Sequence, residues 1–310
     1  MIKNSSMTNT SWNVSPPNIE DVAIELPVQF LKNCPNLIRN NTINHQAISL
    51  AANKSFSNKL IYWSTELLSS IKKSPGMLLI RANHSNLNDE QLKSLYYIIS
   101  KGFGNLSNRY GELFEVKDRN LDYKKEAIPV SKTNSSTGFH TDSTAIDYSP
   151  DIVGLLCLQP AKVGGDSIFA NATDLFLWMR KFYPDAASIL SKPIIRDVIT
   201  PGSKADVEAI KKNQFPVFST ESDVFKFRYM RYWIISGHNR CETTIPPKLM
   251  QALDKIEEFF QKKENLLYYR MVRGDMLFIN NNFICHNRTK YQDNMDSHKK
   301  RTLVRTWINQ

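Results

Sequence analysis

The sequence predicts a mainly β fold of the α+β class, with a double-stranded β-helix (jelly-roll) core and flanking and inserted helices. Two observations support this prediction. Helical apolar spacing is concentrated near the start of the chain, and most later apolar segments are short and bounded by turn residues. The order of these segments lacks the regular strand–helix alternation of a parallel α/β sheet, and no internal repeat is apparent.

The chain has 310 residues, enough for one large or two small domains. We expect residues 1–20, which are rich in Ser, Asn, Thr and Pro, to form a disordered tail, and residues 21–310 to form a single domain. Within that domain we expect a helix-rich part at 21–104, a lid loop at the polar, turn-rich segment 104–138, and a jelly roll at 138–310.

Four segments are predicted to be helical. The first two, Asn44–Ser74 and Asn88–Gly102, lie on either side of a short predicted strand at Met77–Ala82, and Asn88 is a favourable N-cap residue. The other two interrupt the later strands. One follows Ala172, and the other is the amphipathic segment from Pro246 to Phe260.

The later apolar segments are predicted to be strands: Ile152–Leu158, Ser167–Ala170, Pro216–Ser219, Val224–Tyr229, Leu267–Val272, Asp275–Ile279 and Arg301–Ile308. Strand alternation over Phe227–Tyr232 places Arg228 and Arg231 on opposite faces. Either arginine is a candidate for binding a substrate carboxylate, and a half-exposed structural strand is the alternative interpretation.

Composition limits the classes of partner. The net charge is +10, but the lysines are dispersed and no helix-turn-helix, zinc-finger or RNP pattern surrounds them, so we expect no nucleic-acid partner. No apolar run is long enough to span a bilayer, and the first residues lack the apolar stretch of a secretory signal, so we expect no membrane partner. Four scattered cysteines suit a reducing compartment, which predicts a cytoplasmic location.

The most informative motif is His140-Thr141-Asp142, followed much later by His286, Arg301 and Arg305. Side chains at i and i+2 of an extended segment share a face, so one strand end can present an imidazole and a carboxylate to one metal ion. Two histidines and one carboxylate on one face of an octahedral ion leave three positions open, as in non-haem Fe(II) oxygenases. The same three ligand types also suit zinc, so the motif alone leaves a non-oxygenase metal-binding jelly roll as an alternative.

Several motifs occur in a fixed order: Gly138–Asp142, Gly164–Ser167, Gly274–Asn281, His286–Thr289 and Arg301–Arg305. This ordered set resembles the signature of the TauD/TfdA-type Fe(II)/2-oxoglutarate-dependent dioxygenases, which are clavaminate synthase-like. The resemblance extends from the strand near Ile80 to the C-terminus.

The resemblance implies that His140, Asp142 and His286 bind Fe(II), while the three remaining positions accept 2-oxoglutarate, through two atoms, and O2. It also implies that Arg301 binds the distal carboxylate of 2-oxoglutarate with help from the Ser167 hydroxyl. A planar guanidinium suits this task because it makes bidentate, charge-assisted hydrogen bonds.

Three further residues are candidate substrate or cofactor contacts. Arg305 shares a strand face with Arg301 and is expected to contact either the substrate or a structural carboxylate. Arg231 is a candidate for a substrate carboxylate, as described above. Ser136 stands where sulfonate-oxidising relatives have an asparagine, which makes taurine a doubtful substrate.

The implied activity is oxidative decarboxylation of 2-oxoglutarate to succinate and carbon dioxide, coupled to hydroxylation of an unactivated C–H bond. The presence of Asp142 disfavours halogenation, whereas desaturation and cyclisation use the same site and stay open. The excess of positive charge favours a small polar or zwitterionic, amino-acid-like substrate. The oligomeric state is left open.

Overall fold

The computed structural model describes residues 7, 9–13, 15–32, 34, 37–42, 45–50, 54–83, 86–119, 133–143, 145, 147–197, 206–296 and 299–310. The strands at 37–42 and 45–50 are described by their backbones alone. The helices are α1 Val28–Lys32, α2 Lys54–Glu66, α3 Leu68–Lys72, α4 Asp89–Phe103, α5 Ala172–Phe182, α6 Pro184–Leu190, α7 Val207–Lys212, α8 Arg231–Arg240 and α9 Pro247–Gln261. The strands are β1 Ala23–Glu25, β2 Leu37–Thr42, β3 His45–Leu50, β4 Met77–Arg81, β5 Asn105–Leu106, β6 Phe114–Val116, β7 Ile152–Gln159, β8 Val163–Gly164, β9 Ser167–Asn171, β10 Ile194–Ile195, β11 Gln214–Phe215, β12 Phe218–Glu221, β13 Val224–Phe227, β14 Leu266–Tyr269, β15 Asp275–Asn280, β16 Ile284–Arg288, β17 Tyr291–Gln292 and β18 Thr302–Asn309.

Two sheets form the centre of the molecule. The main sheet has the order β1-β4-β15-β7-β18-β5, with β6 also paired to β18, and the smaller sheet has the order β14-β9-β16. Side chains of both sheets meet in one buried cluster, in which Leu277 and Trp307 of the main sheet join Phe169 and Ile284 of the smaller one. This arrangement confirms the predicted jelly-roll core with flanking and inserted helices.

The main sheet is buried on both faces, as β15 illustrates. Leu277 and Ile279 lie in the cluster shared with the smaller sheet, whereas Met276 and Phe278 lie in a second cluster under α2 and α4. The ring of Phe278 stacks on Tyr96 of α4 with centroids 5.6 Å apart. Because strand side chains alternate between faces, burial of both faces of the sheet explains the continuous apolar run of residues 276–279 in β15.

The predicted helices at α4 and α9 are confirmed. Asn88 caps α4 by accepting a 2.9 Å hydrogen bond from the Gln91 backbone, and the Gln91 side chain accepts a 3.1 Å bond from the Asn88 backbone. The prediction over Asn44–Ser74 is wrong at its start. Residues 45–50 form β3, which pairs with β2, and the helix begins only at Lys54. Backbone pairing with a neighbouring strand overrides apolar spacing that is ambiguous over so short a segment.

The predicted strand over Phe227–Tyr232 is also wrong in its second half. Strand β13 ends at Phe227, and α8 begins at Arg231. Between them, Met230 pairs with His140 while its carbonyl accepts hydrogen bonds from the backbones of Trp233 and Ile234. These carbonyl contacts start the helix, so alternation does not continue to Tyr232.

Residues 1–20 were predicted to form a disordered tail, but several of the described residues in this range pack against the fold. Met7 is 1% exposed, and the Trp12 backbone donates a 3.0 Å hydrogen bond to Asp174 near the start of α5. The Thr10 carbonyl accepts a 2.6 Å bond from Asn171. Backbone groups of Thr10 and Trp12 therefore bind the N-cap residue and the first turn of α5.

The predicted lid segment 104–138 is partly sheet. Strands β5 and β6 both pair with β18 and extend the main sheet, while residues 120–132 lie outside the described part of the chain. Among the helices that the structure describes, none is both long enough and apolar enough to cross a bilayer.

Candidate metal centre and anion site

The backbone brings the two predicted histidine ligands together. His140 and His286 pair through reciprocal hydrogen bonds, His140 N to His286 O at 3.0 Å and His286 N to His140 O at 2.9 Å. The two imidazole centroids lie 4.3 Å apart as a result. Asp142 follows two residues after His140, and one ligand atom from each of the three residues lies within 4.8 Å of the others.

The orientation of the three side chains suits a metal ion. Nε2 of His140 and Nε2 of His286 lie 3.6 Å and 3.7 Å from Oδ1 of Asp142. Nδ1 of His140 is 2.9 Å from the Gly138 carbonyl, which only accepts, so Nδ1 carries the proton and Nε2 presents its lone pair. Nδ1 of His286 is buried without a hydrogen-bond partner among the described residues.

Electrostatics keep His286 and Asp142 in their metal-binding forms. Burial, together with the neighbouring His140, lowers the pKa of His286 to about 3, so its imidazole is neutral. Burial would raise the pKa of Asp142, but Arg305 and the two histidines outweigh it and hold this pKa well below its ordinary value. A neutral imidazole and an ionised carboxylate are donor types that non-haem Fe(II) sites use.

Two side chains of β18 contact Asp142 on the side away from the histidines. Its Oδ2 accepts a 2.6 Å hydrogen bond from Nε1 of Trp307 and a 3.1 Å bond from Nη1 of Arg305. The Arg305 guanidinium also lies 5.2 Å from the ring centroid of Phe114 and 4.8 Å from that of Trp307. Of the two contacts expected for Arg305, the structure shows the one with a carboxylate, and that carboxylate belongs to a predicted ligand.

Asn281 and Trp307 were not assigned a role from the sequence. Asn281 holds the backbone of Asp142 at two points, accepting from its N–H at 2.8 Å and donating to its carbonyl at 3.1 Å. Signals for both residues exist in the sequence. Asn281 ends the Gly274–Asn281 motif, and Trp307 lies two positions after Arg305 on the same face of the strand.

Arg301 has the features of an anion-binding residue. Its side chain is buried with a relative exposure of 4%, and its Nη1 has no hydrogen-bond partner in the described part of the chain. Burial lowers its pKa, although Tyr291, whose ring centroid lies 5.0 Å from the guanidinium, acts in the opposite direction. A buried guanidinium with an unused donor favours an anionic ligand.

The Gly164-Gly165 turn allows the chain to pass close to Arg301. Both glycines have positive φ, 69° and 74°, and a Cβ at Gly165 would lie 3.0 Å from Nε of Arg301. Ser167 follows on β9, opposite Arg288, while Phe169 is opposite His286. Ser167 is therefore on the same face of the smaller sheet as His286.

The two other candidates, Ser136 and Arg231, each bind a side chain that is not one of the three predicted ligands. The Ser136 hydroxyl donates a 3.2 Å hydrogen bond to Oδ1 of Asn287, whose side chain points away from the face of its neighbour His286. Arg231 forms a 2.6 Å ion pair with Asp254 of α9. Both candidates have protein partners of their own.

Comparison with known proteins adds an independent finding. The family model described as "Taurine catabolism dioxygenase TauD, TfdA family" matches residues 39–307. FR-33289 synthase of Streptomyces rubellomurinus is 28% identical over 57% of this chain and 51% of the relative. Human gamma-butyrobetaine dioxygenase is 24% identical over 59% of this chain and 46% of the relative. The chain thus spans about half the length of these curated relatives.

A solved structure of asparagine oxygenase, in complex with Fe(II), 2S,3S-3-hydroxyasparagine and succinate, has the same fold. It superimposes with a TM-score of 0.64 at 12% identity, covering 93% of each chain. The fold and the three clustered ligand side chains define a jelly-roll protein with a two-histidine, one-carboxylate site. The chain belongs to the TauD/TfdA family of Fe(II)/2-oxoglutarate-dependent dioxygenases.

Proposed function

We propose that this protein is an Fe(II)- and 2-oxoglutarate-dependent oxygenase that hydroxylates an unactivated C–H bond of a small polar or zwitterionic, amino-acid-like molecule. The observation that carries the proposal is the convergence of His140, Asp142 and His286, whose donor atoms lie within 4.8 Å of one another. When bound, iron and 2-oxoglutarate would supply the activation of O2, the oxidant, which protein side chains cannot provide.

Each site residue has a defined task in this proposal. His140, Asp142 and His286 hold the iron through one nitrogen or oxygen each. Arg301 binds the distal carboxylate of 2-oxoglutarate, since its buried Nη1 has no other partner among the described residues. Ser167, on the same face of the smaller sheet as His286, adds a hydroxyl to that contact.

The substrate class is supported by the side chains near Asp142. Arg305 has N–H donors beyond the one that binds Asp142, and these suit a carboxylate of the substrate. The ring of Trp307 is flanked by Tyr110 and Tyr148, with centroids 5.2 Å and 5.7 Å away. The Tyr148 hydroxyl is buried and lacks a hydrogen-bond partner in the described residues. A cationic group beside aromatic and hydroxyl groups suits a small anionic or zwitterionic molecule.

Two relatives support the same class by their names. One acts on butyrobetaine, and the asparagine oxygenase structure contains a hydroxylated asparagine. We therefore include amino acids, sulfonates and quaternary amines in the substrate panel.

The test measures succinate formed from 2-oxoglutarate by the anaerobically iron-loaded protein after air is admitted. We expect succinate from the wild type, and its rate should rise with the true substrate. Asp142→Ala and Arg301→Ala should lose it. Arg240→Ala, which removes an arginine paired with Asp197 outside the site, should retain it. A wild type that binds neither Fe(II) nor 2-oxoglutarate would contradict the proposal.

A further inference from the structure

The two carboxylate oxygens of Asp142 have different surroundings. Oδ1 lies 3.6 Å from Nε2 of His140 and 3.7 Å from Nε2 of His286. Oδ2 accepts hydrogen bonds from Trp307 at 2.6 Å and from Arg305 at 3.1 Å. The surroundings therefore leave Oδ1 as the ligand atom and hold Oδ2 in a separate hydrogen-bonded position.

We propose that Trp307 is a positioning residue that restricts Asp142 to metal binding through one oxygen. This proposal rests on the function proposed above. A carboxylate can bind an ion through one or both oxygens, and the indole N–H opposes the rotation that would turn Oδ2 towards the histidines. Two imidazoles and one oxygen occupy three of six positions, which leaves room for a two-atom chelate and oxygen. A second carboxylate oxygen would take one of those positions.

The indole is fixed by the protein scaffold. Trp307 is 8% exposed, and it lies on β18 opposite Val153 of β7. Tyr110 packs edge-on against its ring at 5.2 Å, and Tyr148 lies tilted to it at 5.7 Å. Strand pairing and aromatic packing thus set the position of Nε1 in the protein alone.

Replacing Trp307 separates the effect of a hydrogen bond on the position of Asp142 from the effect of a nearby charge. Arg305 contacts the same oxygen, but its removal eliminates a positive charge that holds the pKa of Asp142 low, as well as a hydrogen bond. The indole is uncharged, so replacing it removes a hydrogen bond and leaves the charges of the site unchanged.

The test compares the wild type with Trp307→Phe, which keeps an aromatic ring and removes the N–H donor. Co(II) serves as an air-stable probe metal, and the Co(II) absorption spectrum is recorded at metal saturation, followed by titration with 2-oxoglutarate. We expect a changed spectrum, a lower 2-oxoglutarate affinity, and a Co(II) affinity that falls about 10- to 100-fold, the range for lost supporting hydrogen bonds at metal sites. A variant whose spectrum and 2-oxoglutarate affinity both match the wild type overturns the proposal.

A matched control is available elsewhere in the chain. Nε1 of Trp12 donates a 2.9 Å hydrogen bond to the Pro75 carbonyl, so Trp12→Phe removes the same kind of bond outside the site. We expect it to lower stability while the spectrum and the 2-oxoglutarate affinity stay at wild-type values. A general loss of packing would affect both variants alike.

A tryptophan analogue with sulfur in place of the ring nitrogen, incorporated at position 307, keeps the shape of the indole. It tests the same donor if Trp307→Phe does not fold, and wild-type behaviour of this analogue also overturns the proposal. Failure of the proposed function has a different signature, because then the wild type itself does not bind 2-oxoglutarate, whether or not it binds Co(II).

Discussion

At the scale of single residues, the site depends on buried polar groups whose partners are far away in the sequence. Asn281 contacts both backbone groups of Asp142, and Trp307 contacts its side chain. Arg301, in contrast, is buried with an unused donor at Nη1. Asn281 and Trp307 therefore fix the position of Asp142, whereas Arg301 is suited to binding a ligand.

Replacing Arg301 should weaken 2-oxoglutarate binding selectively. Loss of a buried charge-assisted contact costs about 2–4 kcal/mol, or an affinity loss of roughly 30- to 1,000-fold. We expect this for Arg301→Ala, measured by calorimetry with metal-loaded protein, and a partial loss for Arg301→Lys, which keeps the charge without the planar fork. Metal affinity in the absence of 2-oxoglutarate should be unchanged, and an equal loss of metal affinity would contradict this role.

Replacing Asn281 should affect both stability and metal binding. Asn281→Ala leaves the backbone N–H and carbonyl of Asp142 without their partner, and we expect a loss of about 2–4 kcal/mol in the free energy of unfolding. Urea unfolding with and without Co(II) measures the free energy of unfolding. The increase in this free energy on adding Co(II) should be smaller for the variant than for the wild type. Asn265→Ala removes a 2.9 Å bond to the Phe259 carbonyl outside the site. This control should leave metal stabilisation intact.

At the scale of elements, residues 7 and 9–13 form part of the fold. Trp12 donates from its backbone to Asp174 and from its indole to Pro75, and it packs against the core shared by the two sheets. We expect Trp12→Ala to lower the free energy of unfolding by about 2–4 kcal/mol, because it removes a large, partly buried ring and a hydrogen bond. Chemical unfolding measures the change. Ser15→Ala, at a nearby exposed position, serves as the control.

At the scale of the whole molecule, buried charges make stability depend on pH. Asp275 is fully buried; its Oδ2 accepts hydrogen bonds from Tyr269 and Val272, while its Oδ1 has no partner among the described residues. Burial raises the pKa of Asp275 above its ordinary value. The folded protein therefore holds this proton to a higher pH than the unfolded chain does.

It follows that the contribution of Asp275 to stability falls as pH rises from its ordinary pKa to its raised pKa. Asp275→Asn cannot titrate, so the free energy of unfolding of the variant should rise relative to that of the wild type across this window and then level off. Urea unfolding of both proteins between acidic and neutral pH measures the difference, in which all other carboxyl groups cancel. A difference that is constant or decreases with pH would show that burial does not control this group.

The sequence by itself determined the jelly-roll class, the capped helix α4, the amphipathic helix α9 and the order of the site motifs. These features are local, because helix caps and periodic apolar spacing are set by residues a few positions apart. The sequence also predicted that His140 and His286 meet as ligands of one metal ion, but it did not predict their backbone pairing.

Only the tertiary structure decided which distant groups meet. The packing of Trp12 and the contacts of Asp142 with Trp307 and Asn281 each join segments that no local pattern connects. Sheet register places Trp307 opposite Val153 and thereby beside Asp142. Register depends on the packing of the complete sheet, and for this reason the partners of the buried polar side chains could not be predicted from the sequence alone.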